Sequence, residues 1–453
     1  MICSTSFSSK FSLLFFFIVA SLWGCAAQDT DITGNMPTGD NEQQKAETEL
    51  QGSMYSIGDD TLIAFLPLEN LSGTKAPLKE MAGILRASLT GKGFHLLESD
   101  LLEKFRKKHR MRYTGGVSST ISQALQEEMG VDAILITSLE AYQERNPPQI
   151  SLISRLVTSG SQPEIIWIDS VGLSGDESPG LLDLTLIKEP QPLLEKAVEE
   201  LTGSLAGHFN AEALDGDTFF PAVPASWLAS GPGTLTSPGY RLNRKYLPYD
   251  YFRSQIIDPD RKYSIAVIPF LDLAVRKNAG NIVTLHYIRE LFNLTNFKLI
   301  EPGLVREQLL RFRAIMPAGP SLAVADVITS EGSLGVDLVL SGRVFDYQNQ
   351  SGNPKADYSV QVTEKNTREV VFGARTFSEG QKGVKFFNFG RVFTAHNLLE
   401  EMTRVTVQLL TNPSPRWEGE EEFIADNPAG QVEKTMHYPD SVSIRRIERE
   451  KLF

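Results

Sequence analysis

Gly335-Val336-Asp337-Leu338-Val339-Leu340-Ser341-Gly342, with Asp346-Tyr347 just after it, decides how this chain is read, because the chain states it twice. Gly130-Val131-Asp132-Ala133-Ile134-Leu135-Ile136-Thr137, followed by Ala141-Tyr142-Gln143, stands 205 positions earlier. Solenoid repeats recur every roughly 20–50 residues, so one recurrence at this distance means two copies of one domain. Each glycine tolerates the left-handed backbone at which helices end. The apolar runs Ala133–Ile136 and Leu338–Leu340 read as strands buried on both faces. Asp132 and Asp337, at the strand entrances, read as polar caps of the sheet end rather than metal carboxylates, since no second carboxylate or histidine accompanies either.

The flanks repeat as well. Leu62-Ile63-Ala64-Phe65-Leu66, stopped by Pro67, returns as Ser264-Ile265-Ala266-Val267-Ile268-Pro269-Phe270. Phe94-His95-Leu96-Leu97-Glu98 returns as Phe297-Lys298-Leu299-Ile300-Glu301. In the first copy, Met81, Leu85 and Leu89 mark one helix face, and Ser99 or Asp100 can cap a helix through Lys108. Ser118 or Ser119 caps another helix, with Ile121, Leu125 and Met129 on its buried side. After the central strand, Ile150, Leu152 and Leu156 alternate inward, Thr158-Ser159-Gly160 turns, and Ile165–Ile168 returns as a hairpin. A helix from about 192 to 209 ends the first copy. The second has its hairpin at Tyr358–Val362 and Glu369–Phe372, and its last helix at about 393–410. Parallel βα units followed by an antiparallel hairpin predict an α/β fold: two repeated domains of two or three layers, each a mixed β-sheet flanked by helices.

This order of elements resembles the TolB amino-terminal / CsgG-like domain, over about residues 60–210 and 262–411. The resemblance implies a bacterial envelope location and protein–protein work without catalysis. Pore formation is not carried over. A spanning β-hairpin needs roughly 9–11 alternating residues per strand, and the connections Lys108–Val117 and Tyr142–Pro148 are too short. Residues 210–262 are long enough but rich in Pro and Gly and do not alternate.

The amino terminus reads as an address. Lys10 precedes the short apolar run Phe11–Trp23, the pattern of an export signal. It ends in Leu22-Trp23-Gly24-Cys25, which resembles the lipobox of bacterial lipoproteins. That implies cleavage before Cys25, acyl chains on Cys25, and, with Ala26 next, an outer-membrane destination on the periplasmic side. The domain reading is therefore signal peptide 1–24, flexible polar tether 25–58, first domain 59–210, Pro/Gly/aromatic connector 211–261, second domain 262–411 and polar tail 412–453. The connector carries Phe219-Phe220, Trp227 and Tyr246 through Phe252, and reads either as packing between domains or as a partner groove. Phe386, Phe387, Phe389 and Phe393 read as core or interdomain packing.

Composition limits the chemistry. The chain has 453 residues, a net charge of −12 and two cysteines, Cys3 and Cys25. The charge argues against a nucleic-acid surface, and loss of Cys3 with the signal leaves no disulfide within the chain. The histidines are scattered at His95, His109, His208, His286, His396 and His437, with no pair at i, i+4, so local spacing supports no zinc site. There is no GxxxxGK[ST] loop and no GxSxG elbow. The basic run Lys104–Arg110 reads as a solvated helix face or a headgroup contact. The expectation is thus a protein with no catalytic, cofactor or metal residues: a lipid-anchored scaffold or assembly factor binding another envelope protein. The alternative is an oligomeric CsgG-like component of an outer-membrane secretion channel, which would make the chain a homo-oligomer.

Overall fold

In the computed structural model the twice-stated stretch forms the central strand of two separate sheets. The first sheet holds β1 (Leu62–Phe65), β2 (Glu69–Asn70), β3 (His95–Leu96), β4 (Ala133–Gln143), β5 (Gln149–Thr158) and β6 (Ile165–Ser174). Their order is β3-β1-β4-β5-β6, with β2 also on β4. The second holds β7 (Asp250–Arg253), β8 (Ser264–Val267), β9 (Leu271–Asp272), β10 (Lys298–Leu299), β11 (Leu338–Gln348), β12 (Lys355–Glu364) and β13 (Val370–Glu379). Its order is β10-β8-β11-β12-β13-β7, with β9 on β11. In both, the short strands on the β1 or β8 side run parallel to the central one, and each hairpin strand runs antiparallel to its neighbour. The fold is the expected mixed α/β pair. The addition is β7, which comes from the connector and pairs with β13.

The structure describes residues 61–177, 186–212, 242–254, 257–258, 261–295, 297–313, 322–384 and 391–412. The signal segment, Cys25, the tether, most of the connector, Phe386, Phe387, Phe389 and the tail beyond 412 lie outside these. Among the described residues no helix is long and apolar enough to cross a membrane.

The helices are α1 (Leu78–Gly91), α2 (Ser99–Lys108), α3 (Ser119–Met129), α4 (Pro190–Glu212), α5 (Ala279–Leu294), α6 (Pro302–Arg311), α7 (Leu322–Thr329) and α8 (Ala395–Thr411). Ser118 caps α3 by accepting from the Ile121 amide, and Gly130 closes it with φ 65°. Gly335 takes the same conformation, φ 64°, after the turn that follows α7. Asp132 Oδ2 accepts from the Leu62 amide at 2.9 Å, and Asp337 Oδ2 from the Ser264 amide at 2.9 Å. Both aspartates therefore tie the first strand of a repeat to its central strand.

Layering follows from which faces are apolar. On the front of the first sheet, Ile63, Phe65, Leu135, Leu152 and Leu156 pack with α1 and α4. On its back, Ala64, Ile134 and Ile136 share a core with Leu102 and Phe105 of α2 and Leu125 of α3. That leaves the back of the β5–β6 hairpin uncovered within the first repeat. Helices α5 and α8 of the second repeat fill it, and Ile153, Val157 and Ile168 join the core that also holds Ile282, Ile288, Leu398 and Met402. The same two helices cover Val360 and Val362 on the inner face of the second sheet. They lie between two sheets, and α8 is buried nearly all round. Its equivalent α4 keeps a polar outer face at Gln191, Glu195, Lys196 and Glu199.

One local expectation changes. Period-2 alternation in β5 reads as a strand with one face in solvent, yet all ten of its residues are buried. Its counterpart β12 does alternate. The cause is tertiary: the second repeat covers the face that Ser151, Ile153 and Arg155 occupy.

Candidate functional site

Two features carry polar chemistry: the seam between the repeats and the open back of the second hairpin. At the seam, the Arg155 guanidinium of β5 donates from Nε to Glu301 Oε2 and from Nη2 to Glu301 Oε1, both at 3.0 Å. A further Nη2 bond of 2.6 Å goes to the Gly115 carbonyl. Glu301 caps α6 and also accepts from the Gly303 and Val117 amides. Arg155 is 2% exposed and Glu301 0%. Burial would push the guanidinium down, but Glu301 outweighs it and raises it instead. Nearby, Ser119 donates to Glu307 at 3.0 Å and Arg306 stacks on Tyr113.

Deeper along the seam sits Glu140. The register of β4 against β5 shifts between Leu139 and Ala141, so Glu140 is a bulged residue re-aimed out of the pleat. Its Oε2 lies 2.5 Å from His396 Nδ1 on α8 and 3.3 Å from His286 Nε2 on α5. All three side chains are at most 2% exposed. Burial alone would raise the Glu140 carboxyl, and the two imidazoles outweigh it and hold it well below the usual carboxylate range. The second repeat has the equivalent bulge, between Val344 and Asp346, but there it carries Phe345, which lies under Arg375.

A third group joins Arg289 of α5 to Asp169 of β6 at 3.1 Å, to Glu290 at 2.7 Å and to Glu400 of α8 at 3.1 Å. Arg404 bonds Glu400 at 2.5 Å. Burial would raise Glu400, and Arg289 and Arg404 hold it low. The sign of the pH dependence follows. Glu140 and Glu400 sit below their ordinary value of 4.5 in the folded chain. Their stabilisation is fully present above that pH and is lost as pH falls below it. Glu69, raised by burial, works the opposite way just above it. Denaturant midpoints should therefore fall steeply between about pH 4.5 and 3. A midpoint unchanged over that interval would show that the imidazoles and guanidinia do not hold these carboxylates.

The open feature is the back of β12–β13–β7. Asp357 pairs with Phe377, Ser359 with Arg375, and Gln361 with Gly373, which in turn pairs with Phe252. Phe377 is 44% exposed and Phe252 48%. Arg375 binds Asp357 at 2.8 Å. The matching positions of the first repeat are Ser151 with Gly172, Ile153 with Ser170, and Arg155 with Ile168. Where the second repeat docks, the face is small or apolar apart from Arg155, whose charge is met by Glu301. On the second sheet the Asp357–Arg375 pair and a protruding phenylalanine stand where nothing described covers it. The substitution at Gly172 is the most telling, since a Cβ there would lie 2.5 Å from the His396 ring.

Other residues singled out by sequence find ordinary places. Much of the basic run is paired: Arg106 and Lys107 with Glu103, and Lys108 with Glu128, whose other oxygen lies 3.0 Å from His109 Nε2. Tyr246 is buried against the second repeat, which shows that the described end of the connector packs on its neighbour. The Phe393 carbonyl accepts from Gln149 across the seam at 3.3 Å. Local spacing missed the grouping of Glu140, His286 and His396, which lie on three elements far apart in sequence. The available signal was a difference between the repeats: glutamate at one bulge and phenylalanine at the other.

No protein-family model and no curated protein matches the sequence. Solved structures similar to part of it include a PelC dodecamer from Paraburkholderia phytofirmans, 11% identical over 36% of this chain and 96% of that one, TM-score 0.24. The lipoprotein GNA1162 from Neisseria meningitidis is 17% identical over 32% of this chain and 99% of that one, TM-score 0.24. The LpoB C-terminal domain from Escherichia coli is 16% identical over 29% of this chain and 94% of that one, TM-score 0.21. Likenesses of this size leave the reading of function to the residues of this chain.

Proposed function

We propose that this protein is a non-enzymatic scaffold, lipid-anchored through Cys25 to the periplasmic side of the outer membrane, and that it holds another envelope protein on the open back of its second sheet. The observation that carries the reading is the contrast between two equivalent faces. The first repeat uses the back of its hairpin to hold a partner domain, namely the second repeat. The second presents the same surface uncovered by any described residue, with Phe252 and Phe377 exposed among Asp357, Arg375 and Gln361. Exposed aromatics within a polar surround are the composition of a non-obligate protein interface. The repeat-to-repeat docking does not extend to another copy of this chain in the same way, because Phe377 fills the place where Gly172 admits His396 and Gln361 replaces Arg155.

A photo-crosslinking side chain at position 377, in cells, tests the reading. A discrete adduct to one envelope protein is expected, lost on Phe252→Asp and absent for the same probe at Lys196 on α4. An equal adduct at both positions, or none at 377 in membrane-associated protein, would overturn it. Adducts solely between copies of this chain would replace it with self-assembly.

A further inference from the structure

The seam holds a second site, independent of the proposed partner surface. Glu140, His286 and His396 come from β4, α5 and α8, and one ligand atom of each lies within 4.8 Å of the others. In a tetrahedral zinc site, bond lengths of about 2.0–2.2 Å set neighbouring donors ~3.2–3.5 Å apart. The 3.3 Å between Glu140 Oε2 and His286 Nε2 already fits, and the 2.5 Å to His396 Nδ1 requires that ring and the carboxylate to part by under an ångström.

Three observations point to a ligand here. Glu140 Oε1 is buried without a hydrogen-bond partner, so a donor oxygen stands free beside the point where Oε2, His286 Nε2 and His396 Nδ1 meet. The donors are placed by special backbone: Glu140 by a β-bulge, and His396 by Gly172, whose missing side chain leaves room for the ring. Finally, Arg276, the cation bound to the Glu140 backbone carbonyl, is turned onto the Tyr347 ring at 4.4 Å rather than onto the carboxylate, which leaves the Glu140 charge to the imidazoles.

We propose that Glu140, His286 and His396 bind one divalent transition-metal ion of the zinc class, and that the ion ties the first repeat to the second. Two imidazoles and a carboxylate suit zinc and, in substitution, cobalt. Glu140 Oε1 can supply the fourth donor. On binding, each ring exchanges its hydrogen bond to Glu140 for a bond from the same nitrogen to the metal. The enclosed position makes the site structural: the described residues bury all three side chains, and the ion bridges a strand of one repeat and two helices of the other.

The test uses the full chain in detergent, stripped with EDTA and dialysed against Zn²⁺ or Co²⁺. The expected result is one tightly held equivalent per chain, a visible Co²⁺ spectrum of a four-coordinate nitrogen/oxygen site, and a Tm several degrees above the stripped protein. Glu140→Gln and the pair His286→Gln with His396→Gln should abolish all three, while Glu128→Gln, at the exposed His109–Glu128 pair, should change none. Folded wild-type protein that retains no metal, or folded variants that retain as much as wild type, would overturn the proposal. Should the variants not fold, the wild-type cobalt spectrum decides alone: octahedral or absent bands would overturn it.

Discussion

Arg155→Ala should lower the free energy of unfolding by about 3–5 kcal/mol, the usual cost of removing one partner from a buried ion pair. The argument rests on what is left behind. Glu301 is fully buried, and its remaining partners are the amides of Val117 and Gly303 at 3.4 and 3.3 Å. Those cannot replace a bidentate guanidinium. The Gly115 carbonyl loses its donor as well. The paired change Arg155→Met with Glu301→Leu should recover most of the loss, since apolar replacement of both members of a buried pair is often neutral. The second repeat supplies a control on the equivalent face: Arg375→Ala breaks a partly exposed pair with Asp357 and should cost under about 1 kcal/mol. Urea titration of the four proteins checks this, and an Arg155→Ala cost no larger than that of Arg375→Ala would mean that the pair does not hold the seam.

Gly303→Ala should cost about 3 kcal/mol or more, beyond most overpacking changes. A Cβ at Gly303 would lie 2.2–2.5 Å from the Val117 backbone. Backbone cannot rotate aside as a side-chain tip can, so α6 or the 115–117 loop must move. That movement also lengthens the Glu301 contacts. The matching position in the first repeat is Asp100, exposed at the start of α2, and Asp100→Ala should lie within about 0.5 kcal/mol of wild type. A thermal melt comparing the two checks the claim. Equal Tm values for Gly303→Ala and wild type would show that the repeats do not approach so closely.

Much of the fold was legible because its causes are local. Gly130 and Gly335 take left-handed backbone, Asp132 and Asp337 cap the sheet ends, and the 205-residue recurrence announces two equivalent sheets. Hydrophobic period placed Met81, Leu85 and Leu89 inward on α1, where they are. Patterning failed at β5 because it counts Ser151 and Arg155 as solvent-facing, and burial by a distant segment leaves no trace in a strand's own period. The connector showed in its aromatics that it packs, yet Asp250–Arg253 gave no sign of joining the second sheet as an edge strand.

By itself, then, the sequence determined the α/β class, the repeated order of the main strands and helices, and closing or capping residues such as Gly130, Gly335 and Ser118, since these depend on backbone preference and near-neighbour periodicity. The cap expected at Ser99 or Asp100 is not formed, the helix there starting after Glu98 with no side-chain cap. Only the tertiary structure decided which faces meet. It placed α5 and α8 between the sheets, paired Arg155 with Glu301 across 146 positions, and gathered Glu140, His286 and His396 at one point. Such contacts depend on the summed geometry of whole elements, and no spacing along the chain encodes them.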